Sequence, residues 1–208
     1  MCDHMPSENG TLELLEAKSP TFFLVGGALY AVFVANQVLT TYTGTSYWFA
    51  STFAWASWIL VPFGLLGAYP VLVERRPYLS RAAAVLAVTA VIAWSIVVLG
   101  TAILEPLGIV TEPPDAVALL PLVGMATLYT GYALLGIAVL LVDNHPRAIG
   151  VLLLVTAVSV PLVRVVLTGL PNFTANVVNL LAYIAIGVVL LTVDVPTHGV
   201  ESPADTPA

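Results

Sequence analysis

Residues 80–104 read SRAAAVLAVTAVIAWSIVVLGTAIL, and between Arg81 and Glu105 no side chain carries a charge. As a helix this stretch is about 37 Å long at 1.5 Å per residue. That is enough to cross the roughly 30 Å hydrocarbon core of a bilayer. Its reading as a transmembrane helix decides the fold, because the rest of the chain divides into runs of the same kind.

Those runs occupy 20–42, 47–73, 116–142, 147–169 and 174–193. The breaks between runs hold turn formers: Tyr42-Thr43-Gly44-Thr45, Glu74-Arg75-Arg76-Pro77, Glu105 to Asp115 with Pro113-Pro114, Asp143-Asn144-His145-Pro146, and Gly169-Leu170-Pro171-Asn172. Such clusters stop helices. The expected fold class is all-α, a polytopic membrane protein with a bundle of six transmembrane helices over residues 20–194. Residues 1–19 form an N-terminal tail and 195–208 a disordered C-terminal tail. The first run is expected to stay in place as a helix. It is too long for a cleavable signal, and Asp3, Glu8, Glu13 and Glu16 stand where a basic flank would be needed.

Composition agrees. Of 208 residues 59% are hydrophobic and 9% charged, against about 45–50% and 25% in soluble domains. The net charge of −6 and the lack of a basic patch exclude nucleic acid as a partner. Five Arg and one Lys, acidic tails and abundant Ala and Val make the chain similar to the small membrane proteins of halophilic archaea. That likeness concerns the organism and implies no mechanism.

Cations set the expected direction, since Lys and Arg in short loops are retained in the cytoplasm. Lys18, Arg75, Arg76, Arg81 and Arg147 all fall in the N-terminal flank or in alternate connections, and the other three connections hold neither Lys nor Arg. Both tails are then cytoplasmic and the protein sits in the cell membrane. The even-numbered helices also end alike: Gly67 to Val73-Glu74 and Pro77, Gly136 to Val142-Asp143 and Pro146, Gly187 to Val193-Asp194 and Pro196. One reading is three tandem helical hairpins, 20–74, 81–143 and 147–194, as parallel repeats. The plainer one is that helices leaving a membrane finish on an acid and a proline.

Small residues four apart, Gly27, Ala31 and Ala35 on the first helix and Ala50 and Ala54 on the second, read as packing faces. Pro62, Pro70, Pro121 and Pro161 fall inside the runs, where a proline removes one backbone hydrogen bond and bends the helix.

Much chemistry is excluded. The only lysine, Lys18, precedes the first span, so no intramembrane Schiff base can form. His4, His145 and His198 lie in tails or a loop, which removes axial haem ligands. No carboxylate lies mid-span to relay protons, no buried base could activate a serine, and the lone Cys2 cannot pair within the chain. Asp143, Asn144 and His145 are consecutive and read as a turn, not a metal site. Asn172-Phe173-Thr174 fits the glycosylation pattern but abuts the sixth helix. No catalytic residue, metal or cofactor is expected.

One intramembrane charge stands out. Arg164 lies about six residues, or roughly 9 Å, beyond the middle of its span. Asn36 and Asn179 reach similar depths, Gln37 and Asn176 lie further out, and Trp55 borders the layer. Asn179 and Tyr183 share a helix face. Packing explains such a layer if Arg164 snorkels to the interface or pairs with Glu105 and the amides satisfy one another. Thr127, Tyr129, Thr130 and Tyr132 on the fourth helix likewise read as core. The leading functional expectation is a non-enzymatic subunit or scaffold whose partners are membrane lipids and other membrane protein subunits. The alternative is a small transporter, channel or solute-sensing bundle. Its binding residues would be Asn36, Gln37, Trp55, Arg164, Asn179 and Tyr183, and its ligand a small anionic or polar solute.

Overall fold

A computed structural model describes residues 8–47, 49–104, 119–142, 146–171 and 173–193, and all of its regular structure is helical. The helices are α1 (Glu8–Thr43), α2 (Ala50–Gly67), α3 (Tyr69–Arg75), α4 (Pro77–Val98), α5 (Leu120–Leu140), α6 (Arg147–Pro161) and α7 (Thr174–Thr192). Wider π turns extend α4 through Leu99–Leu104 and α6 through Leu162–Val166. Six of the helices are long and apolar enough to cross a membrane, so this is a multi-pass membrane protein.

Three boundaries differ from the expected runs, two of them at prolines. The run 47–73 is two helices, broken at Ala68. Pro70 has no N–H for the carbonyl of Leu66 and its ring would collide with that carbonyl, so α3 starts afresh with Pro70 in its first turn. In the fourth run Pro121 is at the start of α5, not inside it, where its missing N–H costs nothing. By contrast α1 runs through Pro20 and begins at Glu8, well before residue 20. It ends at Gly44, whose φ of 70° is open to glycine at little cost and whose N–H bonds to the Thr40 carbonyl at 3.1 Å.

The six spanning helices form a closed ring in chain order. α1 packs on α2, α2 on α4, α4 on α5, α5 on α6, α6 on α7, and α7 returns to α1. Alternation of direction puts Arg76 and Arg147 at one end of the bundle and Gly44 and Arg164 at the other. At the first end the Arg76 guanidinium donates to the Leu141 carbonyl at 3.3 Å, linking the start of α4 to the end of α5.

Aromatic rings fill the middle of the ring. Tyr30, Tyr132 and Tyr183 are wholly buried. Trp58 and Trp94 pack with centroids 4.4 Å apart and planes tilted by 44°, and Tyr30 lies 5.7 Å from Tyr183 and 6.1 Å from Trp58. Small residues let the helices close on this filling. A Cβ on Gly67 would lie 2.5 Å from the Leu15 carbonyl oxygen, so α1 and α2 touch backbone to backbone there. The small-residue ladder on α1 is only partly used: Gly27 packs on Ile184 of α7, whereas Ala35 is exposed. Ala50 and Ala54 are both buried.

Candidate functional site

The end of α6 shapes the site. Pro161 has no N–H for the Ala157 carbonyl four residues back, and after it the chain runs as a wider turn in which the Leu167 N–H reaches the Leu162 carbonyl five residues back at 3.0 Å. Such π turns re-aim side chains that a regular helix would place elsewhere. Arg164 sits in this turn. With Val163, Thr168, Leu170, Gln37 of α1 and Asn176 of α7, it walls an open cavity of about 440 Å³ at its end of the bundle. Its guanidinium makes no hydrogen bond or ion pair to any described residue. Glu105, the ion-pair partner expected from sequence, lies outside the described residues.

A chain of hydrogen bonds leads inward from the cavity. Asn176 Nδ2 donates to Gln37 Oε1 at 2.6 Å, and the Tyr30 hydroxyl donates to Asn176 Oδ1 at 2.7 Å. These bonds tie α1 to α7 on one wall of the cavity. They also connect that wall to Tyr30, which is buried deeper in the bundle.

The remaining candidate residues go elsewhere. Asn36 turns to the α1–α2 connection, where its Oδ1 accepts from the Tyr47 N–H at 2.8 Å. Asn179 is fully buried: the Ser159 hydroxyl lies 2.5 Å from its Oδ1, and its Nδ2 donates to the Tyr129 hydroxyl at 3.2 Å. The Tyr183 hydroxyl is 3.0 Å from that of Tyr132. Trp55 packs half-buried against the core. The cavity therefore gathers Gln37 and Arg164 of the six candidates, while Asn36, Trp55, Asn179 and Tyr183 do not line it.

Tyr30, Ser159 and Thr168 were not anticipated from sequence. Tyr30 and Gln37 are seven apart on α1, two turns along one face, and that spacing was available as a signal. Thr168 carried none, because it follows a π turn whose extra residue resets the helical phase. Thr127 and Thr156 bond to their own helix backbone, as hydroxyls in spans commonly do. Among the described residues no cluster of His, Cys, Asp or Glu could hold a metal ion.

The cavity thus offers a guanidinium, two carboxamides, a hydroxyl and two apolar side chains on one concave surface. This combination suits binding of a small solute with a polar head. No family model, curated protein or solved structure matches the chain.

Proposed function

We propose that the protein is a non-enzymatic, solute-sensing membrane bundle that takes a small polar or anionic solute into a blind cup at the Arg164 end. The single observation behind this reading is the shared cavity of Arg164, Gln37 and Asn176, joined by hydrogen bonds to Tyr30. The buried aromatic filling below the cup, with Tyr30, Tyr132 and Tyr183 at 0% exposure, favours binding over conduction. A bundle that binds without conducting acts through others, so the sensing reading includes a place as a subunit of a membrane complex. A second reading, a scaffold with no ligand, draws on the same filled centre. Mild-detergent copurification of a stoichiometric partner, with an inert cup, would favour it.

In this proposal the protein lies in the cell membrane with both termini in the cytoplasm and the cup facing outward. Support comes from Lys18, Arg75, Arg76, Arg81 and Arg147, which all belong to the end opposite Arg164. Cysteine placed at Ser46 in a Cys2→Ser background should react with an impermeant maleimide in intact cells, and cysteine at Arg76 should not. Labelling at 76 from outside would invert the topology.

The cup has its own test. Thr168→Cys should react from outside with a small methanethiosulfonate, and the anionic sulfonatoethyl reagent should react about tenfold faster than the cationic trimethylammonioethyl reagent, because a cleft focuses the field of its charge. Adding Arg164→Ala should abolish that preference with helical content unchanged. An unreactive Thr168→Cys variant, or equal rates for the two reagents with Arg164 in place, would remove the cup from consideration.

A further inference from the structure

We infer that the cup selects an oxyanion, and that Tyr30, which lies beneath it, enforces the choice by fixing which end of the Gln37 amide faces the cavity. The inference rests on the cup being a solute site. It deepens that reading by naming the ligand class and a positioning residue.

A carboxamide is two-sided, with two N–H donors at one end and an acceptor oxygen at the other. In isolation Gln37 could present either. The bonds beneath it have a direction, however. The Tyr30 hydroxyl donates to Asn176 Oδ1, so Asn176 turns its Nδ2 the other way and donates to Gln37 Oε1. The Gln37 oxygen is thereby turned toward Asn176, and Nε2 is the end left to a ligand. Beside it stands Arg164, which has only donors.

The fixed polar groups of the cup are therefore donors, and the Thr168 hydroxyl can adapt to them. A ligand amide has one acceptor oxygen to offer and would set its N–H end against a donor, whereas a carboxylate brings only acceptors and can take two parallel bonds from the guanidinium. Val163 and Leu170 add an apolar wall. The fitting ligand is a small oxyanion with an apolar body, either a soluble carboxylate or the phosphate of a lipid in that leaflet. Were Tyr30 to accept instead of donate, both amides would reverse and the Gln37 oxygen would stand beside Arg164.

Benzoate and benzamide have the same shape and differ at the group in question, so their binding to the full chain in maltoside micelles is the test. Benzoate should bind about tenfold tighter or more, as expected for charge-assisted hydrogen bonds, and Arg164→Gln should remove the difference. Tyr30→Phe keeps the ring but releases the amides, so the benzoate-to-benzamide ratio should fall about three- to tenfold. A residue that only packs would leave that ratio unchanged. Asn176→Leu should lower the ratio in the same way and serves if Tyr30→Phe does not fold. Displacement of benzoate by added phosphatidylglycerol would support the lipid phosphate as the natural oxyanion, and indifference to it would support a soluble one.

Equal binding of the two probes overturns the inference, as does an unchanged ratio in Tyr30→Phe, or in Asn176→Leu where Tyr30→Phe does not fold. So does binding of neither probe while the Thr168→Cys thiol reacts as expected. All three leave the cup standing. An unreactive Thr168→Cys thiol overturns the cup and the inference together.

Discussion

Gly136→Val is expected to lower the unfolding free energy of the bundle by about 3 kcal/mol, while Gly100→Ala leaves it within about 0.5 kcal/mol. A Cβ on Gly136 would lie 2.9 Å from the Gly150 carbonyl oxygen and 3.0 Å from Leu154, and one on Gly150 would lie 2.9 Å from the Gly136 carbonyl oxygen. Each glycine thus meets the other helix's backbone, which cannot rotate aside as a side chain can. The only relief is to move α6 away from α5, and that opens the ring between them. In lipid no hydrophobic term offsets the loss, because tails and side chains are equally apolar and helices are held by close packing. A Cβ on Gly100 meets nothing within 4 Å, so Gly100→Ala controls for the replacement of a glycine where there is room. Unfolding by sodium dodecyl sulfate titration in mixed micelles measures both. Wild-type stability in Gly136→Val would mean that the α5–α6 approach is not what closes the ring.

The same contrast between backbone and side chain accounts for what could be read before the structure. Runs such as 80–104 announce themselves, because twenty-odd uncharged residues admit one solvent and one secondary structure. Their ends were less legible where proline intervened. Pro20 is tolerated within α1 and Pro70 splits the second run, although as sequence both are prolines near the end of an apolar run that the basic residues flank. The tandem-hairpin reading met a related limit. Gly67 and Gly136 do occupy corresponding places at close helix contacts, yet any ring of alternating helices needs small residues at such crossings.

For the site, depth was legible and direction was not. A rise of 1.5 Å per residue places Asn36, Gln37, Arg164 and Asn179 in one layer, but successive residues point about 100° apart around a helix. Asn36 and Gln37 therefore could not both face one cavity. Asn36 serves the Tyr47 N–H, and Gln37 faces Asn176. Asn176 and Asn179, one turn apart, divide in the same manner: the first joins the cup, and the second meets Ser159 and Tyr129 inside the ring. Arg164 was found by its charge. Its aim depends on the π turn after Pro161, which helical periodicity cannot anticipate because the turn breaks that periodicity.

Tyr183 separates ring from hydroxyl, and its two truncations should differ by a few kcal/mol. It is wholly buried, its ring packs 5.7 Å from Tyr30 and 6.1 Å from Tyr132, and its hydroxyl is 3.0 Å from that of Tyr132. Tyr183→Phe removes one interhelical hydrogen bond, a loss of about 0.6 kcal/mol by the measured average for such bonds in membranes. Tyr183→Ala removes the ring as well and leaves a void of about 100 Å³, which at about 24 cal/mol per Å³ costs some 2–3 kcal/mol. The transfer part of the usual large-to-small penalty is left out, since a helix released into lipid keeps its apolar surroundings. Detergent-titration unfolding of the two variants gives both numbers. Equal losses would mean that the hydroxyl pair, not ring packing, joins α5 to α7. In the Thr168→Cys background, Tyr183→Phe should also leave the rate and charge preference of thiol modification unchanged, because Tyr183 does not line the cup. If that preference moved, Tyr183 would belong with Gln37 and Arg164 among the residues that face the solute.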